Sequence, residues 1–272
     1  MLSNIFRSTT SLQRLIYITS RLPLAAALLF AAHAAGAAEP LRIAAAADLQ
    51  PVLPSVLAGF TKQTGIVAEA SYKSSATLEQ QIENGAPFDL FMAADTSFPQ
   101  RLIAAGLAEE TQPIVYARGT LVLWTRNDSP LLAKPGSRLS MDALRDPALK
   151  SLAIANPEHA PYGRAAKAAL TSLGLLDALT PKLVTAENIA QTAQFVSTGN
   201  AELGLISLTS ALTLQSQGQY VVVPASAYPP ILQGAVTLKR SAELPEAHKL
   251  LDYLATPAVR QILATRGLAS PQ

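Results

Sequence analysis

Leu41-Arg42-Ile43-Ala44-Ala45-Ala46-Ala47-Asp48-Leu49-Gln50-Pro51 joins an apolar run to a proline-marked helix start, and the pattern recurs downstream. Leu41 to Ala45 reads as a strand and Pro51 to Thr64 as a helix. Ile66 to Tyr72 reads as a second strand, Thr77 to Asn84 as a helix, and Leu90 to Ala93 as a third strand. Strands alternating with helical-period segments are the signature of βαβ units, and so of a largely parallel sheet. Thr120 to Thr125 and Ser151 to Ala155 begin a second set of strands. Helices at Gly163 to Leu173, Ile189 to Thr198 and Leu208 to Gln215 follow, with Gly204-Leu205-Ile206 and Tyr220 to Val223 as strands between them. Gly234 to Leu238 returns as a strand, and Pro245 to Leu254 and Pro257 to Thr265 close the chain as helices.

Extended segments near Tyr116 to Gly119 and Tyr228 to Gln233 connect the two sets and are the expected hinges. The fold expected is α/β and two-lobed, each lobe a mixed, mostly parallel sheet flanked by helices, with two hinge crossings. Residues 38–117 and 231–272 would form one discontinuous lobe and 118–230 the other. In open α/β sheets the carboxyl ends of the strands face the ligand, so the loops entering each helix would line an interlobe cleft.

Residues 1–37 carry Arg7, Arg14 and Arg21 with no acid, then the apolar run Leu22 to Phe30, then Ala35-Gly36-Ala37. A basic region, a short apolar core and a small-residue site make a cleaved secretory signal peptide. His33 and Gly36 interrupt the run, leaving it short of the roughly 20 apolar residues of a spanning helix. The chain has no cysteine, which excludes disulfides, thiol catalysis, thiolate metal sites and a lipid-bearing cysteine. Removing the three leader arginines turns 21 basic and 19 acidic residues into 18 and 19. Such a mature chain offers no basic stripe for nucleic acid and no patch for anionic lipid. A soluble, monomeric periplasmic protein is the expectation.

Three strand-to-helix junctions are rich in small residues: Ala46 to Gln50, Lys73-Ser74-Ser75-Ala76-Thr77, and Pro161-Tyr162-Gly163. Helix N-termini carry unpaired N–H groups and a partial positive charge, so each junction can seat an anion. Pro51 is expected at the first helical position, with Gln50 as cap and Asp48 in the loop. Ser74 and Ser75 have a plain alternative as helix caps. Gly85 is expected to end a helix, Pro87 to stiffen a turn, Asp95 to cap the next helix and His159 to stabilise its turn. Once the leader is removed only His159 and His248 remain, too few for a histidine metal site.

Ala45-Ala46-Ala47-Asp48-Leu49, Ser74-Ser75, Gly85-Ala86-Pro87-Phe88-Asp89 and Ala94-Asp95 occur in order. Asn156-Pro157-Glu158-His159-Ala160-Pro161-Tyr162-Gly163, Glu187-Asn188-Ile189 and Gly199 to Gly204 follow. Together they resemble the periplasmic molybdate-binding family of ABC importers, across nearly the whole mature chain. The resemblance implies a type II periplasmic binding protein fold and capture of molybdate or tungstate by hydroxyls and main-chain amides from both lobes. It also implies an inner-membrane permease with its cytoplasmic ATPase as partner, no cofactor and no catalysis. The oxyanion contacts it implies fall at Ala47, Asp48, Ser75, Tyr162, Ile189 and Ser207. Molybdenum or tungsten would be held only as the bound oxyanion, through Asp48, Ser75, Tyr162 and Ile189. Asp48 stands where better-known members have serine, and Ser207 where they have tyrosine.

Other readings of the cleft are phosphate or sulfate capture, and a hydrolase triad assembled from Ser75, His159 and an aspartate. No G-x-S-x-G elbow supports the triad. Beside a doubly charged anion Asp48 has three resolutions. The carboxylate turns away, toward Lys73 or a local amide; it shares a proton with the ligand; or it coordinates the metal atom directly. Either of the last two makes affinity fall as pH rises.

Overall fold

The computed structural model describes residues 39–132 and 137–271. The expected signal peptide at 1–37 lies outside the described residues.

Ten strands form two five-stranded sheets. The first has the order β2-β1-β3-β10-β4, from β1 (Leu41–Ala46), β2 (Ala68–Lys73), β3 (Leu90–Ala93), β4 (Ile114–Gly119) and β10 (Ile231–Thr237). The second has the order β7-β6-β8-β5-β9, from β5 (Leu121–Arg126), β6 (Leu152–Ala155), β7 (Leu183–Ala186), β8 (Leu203–Ser207) and β9 (Gly218–Val222). β1 pairs in parallel with β2 and β3, and β6 with β7 and β8, while β10 and β5 are antiparallel to their neighbours. Both sheets are therefore mixed: the parallel pairs are the βαβ units of the alternation, and the antiparallel ones come from β10 and β5.

The helices are α1 (Leu53–Thr64), α2 (Ser75–Glu83), α3 (Ser97–Ala104), α4 (Pro161–Ser172), the single turn α5 (Leu176–Leu179), α6 (Ile189–Ser197), α7 (Leu208–Thr213), α8 (Leu244–Leu254) and α9 (Pro257–Thr265). Side chains alternate across a strand, and β1 uses both faces. Ile43 and Ala45 meet Val56, Phe60 and Leu250 of α1 and α8, whereas Ala44 packs with Leu78, Ile82 and Leu102 of α2 and α3. The second sheet is covered in the same way, by Ala166 and Leu170 of α4 on one face and by Ala193 and Val196 of α6 on the other. Burying a side chain such as Phe60 or Leu170 contributes about 1.5–3 kcal/mol.

Gly65 ends α1 at φ 76, where an L side chain is strained, and returns its N–H to Thr61 O at 2.8 Å. The start of α1 departs from expectation. Residues Ala47–Leu49 form a 3-10 turn, α1 begins at Leu53, and the proline in its first turn is Pro54 rather than Pro51. Pro54 meets the helix-start rule in place of Pro51, and the intervening turn moves the helix start by two residues. β4 was read only as an extended connection, yet it pairs along β10. β7 is an addition to the expected strands, short and only partly buried, and the helix expected after Asp95 is α3, with Thr96 rather than Asp95 at its cap position.

The chain passes from the first sheet to the second through the single residue Thr120, between β4 and β5. It returns through the 3-10 turn Ala225–Ala227 to β10. Tyr228 on this return segment accepts a hydrogen bond from Leu121 N at 3.1 Å, so the two passages are tied to each other.

Candidate functional site

The site is built on helix starts. β1 runs into the 3-10 turn whose three residues, Ala47, Asp48 and Leu49, are all buried. α6 and α7 of the second sheet pack against this turn. The Thr209 hydroxyl donates to Asp48 O at 2.8 Å, fixing the turn from the other side of the cleft.

The Asp48 carboxylate is fully buried. Its Oδ2 accepts from Tyr162 OH at 3.1 Å and from Gln233 Nε2, and its Oδ1 has no partner. No cation among the described residues pairs with it. Burial raises its pKa from 3.8 to about 6, against the opposing pull of the hydrogen bonds from Gln233, Tyr162 and its own backbone. The Tyr162 phenol is pushed well above 10, first by burial and then by the Asp48 charge, and the Tyr116 phenol likewise.

The Asp48 carboxylate faces Tyr162 and Gln233, not Lys73. It turns to the strands that carry the chain between sheets: Gln233 lies on β10, and a Cβ built on Gly119 of β4 would come 2.2 Å from Tyr162 Oη. Asp48 therefore links the first loop, α4 and β10 at one buried point.

Ser75 is the first residue of α2 and is buried. Ser74 is the cap, accepting from Thr77 N at 3.2 Å. Ser75 is free of that duty; its Oγ accepts from Ala94 N at 3.1 Å, which leaves the hydroxyl hydrogen available as a donor. Ile189 opens α6 behind the cap Asn188, whose side chain accepts from Gln191 N. The amides of Ser75 and Ile189 have no acceptor among the described residues, as the first turn of a helix dictates. Across the cleft, Ala76 N donates to His159 O at 3.2 Å, bringing the start of α2 to the loop before α4. Here His159 acts through its backbone in a turn.

Ser207 is buried at the start of α7. It caps α7, with Oγ accepting from Ser210 N at 3.3 Å and bonding Thr209 Oγ1 at 2.8 Å and Ser210 Oγ at 3.0 Å. Its hydroxyl is taken up locally, so the structure makes it a helix cap. Gln233 and Thr209 were missed. A glutamine leading into the apolar strand Gly234 to Leu238 was the one available signal, since a buried amide in a sheet needs a polar partner.

A family model described as bacterial extracellular solute-binding protein matches residues 41–269. The chain belongs to this family. This solute-binding protein is 39% identical over 251 residues to the molybdate-binding protein ModA of Azotobacter vinelandii, covering 91% of this chain and 96% of that one. It is 36% identical to ModA of Rhodobacter capsulatus over 90% of each chain. The solved structure of the Azotobacter vinelandii periplasmic molybdate-binding protein superposes with a TM-score of 0.77 at 33% identity, covering 85% of this chain and all of that one. No group of histidines, cysteines or carboxylates that could hold a metal ion occurs among the described residues. No helix among them is long and apolar enough to cross a membrane.

The double duty of Ser75 yields a testable outcome. If Ser75 holds the anion as the resemblance implies, Ser75→Ala removes a donor to a charged ligand, worth about 1.5–3 kcal/mol, and anion affinity should drop ten-fold or more. The same change strands the buried Ala94 N–H, so stability should fall by about 1–3 kcal/mol. Calorimetric binding and denaturant unfolding of this variant, both like wild type, would remove Ser75 from the site.

Proposed function

We propose that this protein captures molybdate or tungstate in the periplasm and delivers it to an inner-membrane ABC permease driven by a cytoplasmic ATPase. The observation that carries the reading is that α4 and α6 meet the 3-10 turn at Asp48 while the start of α2 meets the loop before α4, with no cation among the described residues at Asp48. A doubly charged oxyanion held there would rest on helix amides and hydroxyls, which are favourable near helix N-termini. The molybdate-binding relatives, similar over almost their whole length, support the choice of anion.

In this reading Ser75, the amides of Ala47 and Ile189, and Tyr162 contact the oxyanion, and Asp48 sits behind them. The lobes, 38–117 with 231–272 and 118–230, close by rotation at the paired passages near Thr120 and Tyr228. The protein acts as a monomer without cofactor or catalysis, and residues 1–37 are removed on export.

A thermal-shift panel of molybdate, tungstate, sulfate, phosphate and chromate at equal millimolar concentration tests the assignment. Molybdate and tungstate should raise the melting temperature most, because a ligand of the folded state alone stabilises it by mass action. A largest shift from sulfate or phosphate would transfer the protein to a different class of oxyanion importer.

A further inference from the structure

Outside the buried site, one cluster bridges the two halves through side chains alone. Arg164, on the first turns of α4 in the second half, places Nη2 2.7 Å from Oδ2 of Asp95, which follows β3 in the first half. The same guanidinium lies 5.1 Å from the ring centre of Phe98 on α3. The receiving side is prearranged. Asp95 Oδ1 accepts from Ser97 N at 2.7 Å, and Phe98 is buried. Arg101 stands 4.6 Å over the Phe98 ring while its Nε and Nη2 hold both oxygens of Glu79 at 2.7 Å. Glu79, Asp95, Phe98 and Arg101 all belong to the first half, so Arg164 alone comes from across the cleft.

An isolated ion pair at a rim is weak, because two long side chains must be ordered for one exposed contact. Here the carboxylate is fixed by a main-chain amide and the ring by its burial. Ordering Arg164 gains an ion pair and a cation–π contact together. Both contacts require the halves to be together, so they weight the closed state over the open one. None of these residues lies on the strands passing between sheets, which separates the cluster from the hinge.

We propose that Arg164 is one half of a clasp that holds the two halves closed and sets how slowly the bound anion leaves. The kinetic form of this proposal rests on the oxyanion reading above. In stopped-flow experiments on the full chain, Arg164→Ala and Asp95→Asn should each speed molybdate dissociation about five-fold. Association should change less than two-fold. The double variant should be no faster than the quicker single one, since both break the same contact. Raising salt should accelerate wild-type release toward the variants and leave Arg164→Ala nearly unchanged. Dissociation within two-fold of wild type for both variants, or fully additive effects, overturns the clasp.

A second measurement needs no ligand. The chain lacks cysteine, so dyes can be placed at Asn84→Cys, exposed just past the end of α2, and at Ser172→Cys, exposed at the end of α4. Energy transfer in the ligand-free protein should show a longer mean distance in Arg164→Ala than in the otherwise wild-type chain. Equal distances overturn the proposal even where molybdate fails to bind. Failure of wild type to bind molybdate, with the distance change present, removes the oxyanion reading and leaves the clasp standing.

Discussion

Between about pH 4 and about pH 7 the wild-type protein should lose about 3 kcal/mol of folding stability relative to Asp48→Asn. The folded-state pKa of Asp48 is raised from 3.8 to about 6, because burial without a cation disfavours the carboxylate. Between about pH 4 and about pH 6 the unfolded chain has released the proton and the folded chain still holds it. The unfolded state then binds fewer protons, so stability falls as pH rises. The loss is complete above about pH 6, and below about pH 4 it vanishes. At about 1.36 kcal/mol per pKa unit the shift corresponds to about 3 kcal/mol. Subtracting the asparagine variant cancels the other titrating groups; a difference that stays flat from pH 4 to pH 7 would mean Asp48 titrates as an ordinary carboxylate.

Anion affinity should follow the same proton. Tyr162 has a single hydroxyl hydrogen, and in the structure it is donated to Asp48 Oδ2. Protonated Asp48 can instead donate to the phenol oxygen and release that hydrogen to a ligand. Molybdate affinity should therefore decline from about pH 5.5 to about pH 8.5 in wild type, and more shallowly in Asp48→Asn. A flat wild-type profile would leave Tyr162 bound to Asp48 in every state.

The fold was legible because its units are local. The apolar alternation of β1 and the periodicity of α1 are written within a few residues of each other, and the helix starts at Ser75, Tyr162 and Ile189 carry small residues and caps that announce amides. What escaped depends on pairing between distant segments. β4 is a strand because β10 lies beside it, more than a hundred residues away. Gln233 and Thr209 join the site by reaching Asp48 across 185 and 161 residues. Ser207 illustrates the converse: a serine before a helix is a cap by local chemistry, and it caps α7. Asp48 was legible as an anomaly, but its direction was not, since the three-dimensional position of Gln233 decides it.

The second large effect is expected from Gly163→Ala. A Cβ built on Gly163 would lie 2.3 Å from the Ala155 carbonyl oxygen and 2.8 Å from the carbonyl carbons of Ala155 and Asn156, all of them backbone at the end of β6. None of these atoms can rotate away, so α4 must back off the strand. Overpacking of this kind costs typically 1–3 kcal/mol and occasionally more. At about 3 kcal/mol the melting temperature should drop by roughly 6–12 °C. The displacement falls one residue from Tyr162, so its hydrogen bond to Asp48 should loosen and anion affinity should fall with the stability. Gly59→Ala supplies the comparison: its Cβ would come 2.5 Å from Tyr253 Oη, a nearly equal clash on paper. That contact is with the end of a half-buried side chain on α8, which can swing aside, and alanine gains about 1 kcal/mol of helix propensity over glycine. Gly59→Ala should therefore melt within about 3 °C of wild type. Equal melting of the two variants would show that β6 and α4 can separate without cost, and that the glycine of the Pro-Tyr-Gly junction is not what seats Tyr162.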